Sequence, residues 1–221
     1  MDAVGNEVFA GWLPVLAAGV LGTALSLAAD SLVARLLPRL GGQASPAVRS
    51  TTAALTFAFC ALFAVRFGIV PELPAFIFFA VLGIQLARTD VALHLLPNPM
   101  VLALLAGGFL LLLVPAVFAL RTPDLLRALL AAVILFAVYL ILALISPGAI
   151  GMGDVKLAAP IGLYLGYLGW TQLLYGGLLG FILNGVVTLM VVALKGRKDA
   201  TEVAHGPSML GATAGIALLL A

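Results

Sequence analysis

Apolar residues in this chain come in runs too long for the interior of a water-soluble domain, and this restricts the fold before any single residue is considered. Val101 to Val114 contains no charged residue, and Leu125 to Ile145 contains only Arg127. A hydrocarbon core about 30 Å thick takes roughly 20 helical residues to cross, and the chain divides into about eight apolar segments that approach or reach that length. A β-barrel would need short strands of alternating polarity, which such continuous runs contradict. The expected fold is therefore all-α, a polytopic transmembrane helical bundle. Composition agrees: 64% of residues are hydrophobic and 9% charged, with a mean hydropathy of +1.25, outside the range of soluble domains. Acidic Asp2 and Glu7 precede the first run without a basic segment, so that run reads as a retained helix rather than a cleaved signal.

The runs place helices at Gly11 to Ala29, Ser50 to Val70, Ala75 to Ala87, Met100 to Leu120, Leu125 to Ile145, Val155 to Leu168 and Leu173 to Leu194, with a last one after Gly206-Pro207. Together they read as a single membrane-embedded domain over residues 1–221, with a short loop at 36–49 broken by prolines and glycines. Cytoplasmic loops are enriched in Lys and Arg. One set of alternate connections holds Arg35, Arg39, Arg49, Arg88, Lys156, Lys195, Arg197 and Lys198; the other holds Arg66, Arg121 and Arg127. The first set is expected in the cytoplasm and the N-terminus outside. Trp12, Trp170 and Tyr175 fit the outer interfacial belt. Cys60 is the only cysteine and lies within an apolar run. It reads as a small buried hydrophobe, with no disulfide and no cysteine metal site.

Against this background Gly151-Met152-Gly153-Asp154 stands out. A carboxylate near a bilayer core costs at least about 2.5 to 3.5 kcal/mol, which makes it a functional candidate. The flanking glycines leave room for close approach. The structural alternative is that Asp154 caps a helix beginning at Val155. The assumed topology also brings Asp90 to the same side. Two carboxylates that meet at a water-accessible edge cannot both ionise cheaply, and an acid pair of this kind hydrolyses a peptide bond without a metal or a nucleophilic side chain. Asp30, within reach of Arg35, reads as an interfacial charge, and Asp199 as part of a solvated loop. If the pair forms, the helix ends suggest that Asp154 is the more ionised partner: it faces an amide terminus, and Asp90 a carbonyl terminus.

Gly151-Met152-Gly153-Asp154-Val155-Lys156-Leu157 resembles the GxGDxKL signature of type IV prepilin peptidases, aspartic proteases of the membrane. Arg88 to Asn98, with Asp90 ahead of Leu96-Pro97-Asn98, is similar to the family's other aspartate segment, and His205-Gly206-Pro207 to its late Gly-Pro turn, which Phe usually precedes. The resemblance implies that Asp90 and Asp154 are catalytic, with Gly151, Gly153 and Lys156 as substrate-binding or active-site support. It further implies that a prepilin or pseudopilin precursor loses its leader after a glycine at the cytoplasmic face. The expected partners are that precursor and the lipid bilayer, with no nucleic acid. Many members carry a cysteine zinc loop after the first helix; here the 36–49 stretch has no cysteine, so the resemblance is to a short form. Proteolysis is expected to need no cofactor, and S-adenosylmethionine only if N-methylation is retained.

Spacing alone gives the other polar residues modest roles. Lys156 lies about 200 degrees round a helix from Asp154, an orientation suited to snorkelling. His94 reads as interfacial, with a proton relay as the alternative, and Asn98 as a turn residue between prolines. Asn184 and Gln172 are expected to hydrogen-bond between helices. The competing function is a small ion- or proton-coupled transporter using Asp90 and Asp154, which the expected depth at the cytoplasmic edge disfavours. A relative that binds precursors without cutting them is a third reading.

Overall fold

The computed structural model describes the backbone of residues 2–148, 150–195 and 203–220, and side chains within those ranges from residue 11 onward, Lys195 excepted. Arg197, Lys198 and Asp199 lie outside the described residues. Each apolar run is a helix, and no strand occurs among the described residues: α1 Asp2–Leu36, α2 Pro46–Phe67, α3 Leu73–Leu93, α4 Asn98–Phe118, α5 Thr122–Ile145, α6 Met152–Leu168, α7 Trp170–Lys195 and α8 Gly206–Leu220. Six of these described helices are long and apolar enough to cross a membrane; α6 has 17 residues and α8 has 15.

Several helices extend past the expected boundaries because their polar ends still find partners. α1 runs through Asp30 to Leu36, where Ala29 was the expected end. Asp30 is 3% exposed and pairs at 2.9 Å with Arg49, not with Arg35. α3 continues through Asp90 to Leu93. α6 begins at Met152 with Gly151 as its N-cap, so Asp154 occupies the first turn instead of capping a helix that starts at Val155.

The chain forms two units by contact, residues 1–85 and 86–221. In the first, Cys60 is fully buried against Gly22, where a Cβ would collide with its sulfur. Gln85 donates to the Ser26 carbonyl at 3.0 Å, and Phe76 stacks on Phe67 with ring centres 4.5 Å apart, joining this part of α3 to α1 and α2.

In the second unit α6 is the central element, with twelve of its 17 residues buried. It is flanked by α4, α5, α7 and α8. Small residues set the closest contact. A Cβ at Gly162 would lie 2.8 Å from the Ala132 Cα, and one at Gly166 would lie 3.1 Å from the Ala128 Cα and collide with the Ala131 methyl, so the α5 and α6 backbones meet with nothing larger than an alanine methyl between them. The C-terminal carbonyls of α6 are capped by α5: Arg127 donates to Gly166 O at 2.7 Å and to Tyr167 O at 2.6 Å. Asp124 holds that guanidinium at 2.9 Å, and Arg121 lies over the Tyr167 ring. A cation on the carbonyl end also matches the helix dipole. Gln172 joins α7 to the end of α8 by donating to Leu220 O at 2.8 Å, the interhelical bond expected of it. These contacts gather the end of α6 and the start of α5 at one end of the unit, opposite Asp154.

Candidate active site

Asp90 stands one turn before the end of α3, and that helix stops because His94 turns left-handed, with φ +48°, while its N–H still reaches the Asp90 carbonyl at 2.8 Å. Leu96 and Pro97 then lead into α4. Leu96 is buried, and a Cβ on Gly153 would lie 3.1 Å from the Leu96 Cβ. Gly153 is therefore small because the segment after Asp90 packs directly on it. Gly151 serves Asp154: its backbone N–H hydrogen-bonds the carboxylate, and a Cβ there would lie 3.2 Å from Oδ2.

The third support comes from the start of α8. Gly206 N–H donates to Asp90 Oδ2 at 3.1 Å, and a Cβ on Gly206 would sit only 2.7 Å from that oxygen. Only glycine brings the backbone this close. Asp90 thus faces an amide terminus as well, supplied by another helix. Asp154 keeps its place in the first turn of α6 and Asp90 in the last turn of α3, and the N–H from α8 reduces the helix-end asymmetry between them.

Asp90 and Asp154, 6% and 9% exposed, line one cavity of about 310 Å³, whose wall also includes His94, Gly151, Asn184 and His205. That volume is at the small end of ligand pockets. His205 sits in an aromatic setting. Tyr139 Oη lies 3.2 Å from its Nε2, and Phe181 packs on both rings at 5.1 and 5.3 Å. Burial pushes the His205 imidazole below its ordinary pKa.

The residues expected at the site therefore separate. Asp90, Asp154 and Gly151 line the cavity, and Gly153 supports it from behind. Lys156 does not enter: it is exposed and donates to Asn98 Oδ1 at 2.9 Å, tying the first turn of α6 to that of α4. Asn98 is accordingly a helix-start acceptor more than a turn residue. His94, expected at the interface, is exposed but contributes to the cavity wall. Asn184 does not make the interhelical bond expected of it; its Oδ1 is buried without a partner among the described residues. His205 was read only as part of a turn. A polar residue where the related pattern carries Phe was the available signal. No group of three or more His, Cys, Asp or Glu able to hold a metal ion occurs among the described residues.

The sequence model of the type IV leader peptidase family matches residues 75–193, more than half of the chain. No curated protein and no solved structure matches it.

Proposed function

The chain belongs to the type IV leader peptidase family, and from that membership we propose that it removes the leader of a prepilin or pseudopilin precursor, using Asp90 and Asp154 as an aspartic dyad. The observation that carries this reading is the meeting of two acids, one from each signature segment, on one cavity wall. The chemistry follows from two carboxyl groups that share one proton. The ionised carboxylate takes a proton from water as the hydroxide adds to the scissile carbonyl, and the other carboxyl protonates the carbonyl oxygen. In the second half, the newly protonated acid delivers its proton to the leaving amine as the C–N bond breaks. The diol then returns a proton to the second carboxylate. Both acids end as they began, so no cofactor is needed for proteolysis; S-adenosylmethionine enters only if the new N-terminus is methylated. The backbone donors on each acid support the role by holding the oxygens in place through the cycle. The basic asymmetry of the loops supports a multi-pass arrangement in the inner membrane, with the acids at the cytoplasmic face.

The test is cleavage of a leader-bearing precursor by the reconstituted protein, with N-terminal sequencing of the product to locate the cut and detect any methyl group. Asp90→Asn and Asp154→Asn are each expected to abolish cleavage while membrane insertion persists, and added chelator is expected to leave the rate unchanged. Near-normal turnover by either variant would remove that residue from the dyad.

A further inference from the structure

Two residues that line the cavity beside the acids each carry a polar atom without a partner. Asn184 Oδ1 and His205 Nδ1 are both buried and unpaired among the described residues, and both residues line the cavity that holds Asp90 and Asp154. A buried polar atom without a partner costs about 1 to 3 kcal/mol. Two on residues that line one small cavity point to a ligand that supplies both partners.

The hydrogen-bond character of each follows from its surroundings. Tyr139 is 1% exposed, and its hydroxyl has His205 Nε2 as its partner. Were Nε2 to donate to that hydroxyl, the tyrosine O–H would be buried with no acceptor among the described residues. The tyrosine O–H therefore donates to Nε2, and in the neutral ring the proton then resides on Nδ1. Burial, which lowers the imidazole pKa, favours that neutral ring. Phe181 braces it at 5.3 Å and stands one turn from Asn184 on α7. The residues beside the acids thus carry one unpaired N–H donor and one unpaired carbonyl acceptor. This is the complement of a peptide backbone, which presents C=O and N–H in turn along an extended strand.

We propose that Asn184 and His205 form a backbone-binding subsite that holds an extended peptide next to the acids, Asn184 Oδ1 accepting a peptide N–H and His205 Nδ1 donating to a peptide carbonyl. The inference rests on the peptidase reading of this site and adds to it how the substrate main chain is gripped, independently of side-chain sequence. It also gives Tyr139 a positioning role, since its hydroxyl fixes which imidazole nitrogen carries the proton.

The experiment uses the full-length protein in detergent and a synthetic leader-bearing precursor peptide. A second set of peptides has the amide N–H around the cleavage site replaced, one position at a time, by an ester oxygen. One ester is expected to lower kcat/KM about five- to tenfold with the unaltered enzyme. Asn184→Leu is expected to lose a similar factor on the all-amide peptide and nothing further on that ester. His205→Phe is expected to lose activity and His205→Asn to recover part of it, because the Asn side-chain NH₂ lies close to where Nδ1–H stood. Equal ester penalties in the unaltered and Asn184→Leu proteins at every position would overturn the subsite. Binding of the same peptides to the Asp154→Asn protein reads the coupling without turnover. Cleavage without coupling defeats the subsite alone. Coupling in binding, with no cleavage by the unaltered enzyme, defeats the peptidase reading alone. Neither binding nor cleavage defeats both.

Discussion

Gly206 meets Asp90 through a single backbone N–H, and the closeness of that meeting makes the glycine replaceable by nothing larger. Gly206→Ala would put a methyl 2.7 Å from Asp90 Oδ2, so the carboxylate must move and its hydrogen bond must lengthen. Alanine is the better helix former, so α8 itself is not weakened. Precursor cleavage is expected to fall about tenfold to a hundredfold, the loss typical of one hydrogen bond to a charged group, with helix content unchanged by circular dichroism. A rate within twofold of the original would show that this contact does not position Asp90. The two acids were legible in the sequence because an ionisable residue is conspicuous beside apolar runs. The glycine was legible only as a turn, since nothing in the order of residues says that a helix beginning 116 positions later starts against Asp90. Asn184 was misjudged for a related reason. A polar residue within an apolar helix faces either another helix or a cavity, and the residues of α7 alone do not say which.

The helices themselves were almost all legible from their apolar runs, and their ends were not. Apolar periodicity stops at the first charge, but a helix stops where its backbone groups lose partners. α1 therefore passes Asp30, which Arg49 neutralises, and α3 passes Asp90. The close contact of α5 with α6 lies at Gly162 and Gly166, where Ala128, Ala131 and Ala132 of α5 supply an equally small surface. Both halves of that match must be known before either is informative. Arg127 belongs to the same interface. Losing its two donor bonds to the last carbonyls of α6 in Arg127→Met is expected to cost about 1.5 to 3 kcal/mol, seen as a lower melting temperature in detergent. Because these bonds lie at the opposite end of α6 from Asp154, the variant assayed well below its melting point should keep most of its activity. Loss of cleavage without loss of stability would mean that α6 transmits the change along its length.

For the molecule as a whole, the contacts of the second unit put Lys156 at the same end as the acids and Arg121 and Arg127 at the other, the partition that the basic-residue count assigns to opposite sides of the membrane. From the basic-residue count alone, a cysteine at Ser45, in a Cys60→Ala background, is expected to resist membrane-impermeant thiol reagents in intact cells and to react after the membrane is opened. Ready labelling from outside would reverse the orientation. The length of α6 carries a further consequence. Seventeen residues rise about 25 Å, less than the roughly 30 Å of a hydrocarbon core. In the proposed orientation, a helix held at its far end by Arg127 and reaching only this far is expected to leave Asp154 below the lipid headgroups, at the bottom of a dimple in the bilayer surface. On the peptidase reading the precursor is then expected to be drawn down into the membrane to be cut, with the thickness of the surrounding lipid a rate-determining variable. In proteoliposomes of increasing acyl-chain length, cleavage should decline as the bilayer thickens, while the same protein in short-chain lipid or detergent works fastest.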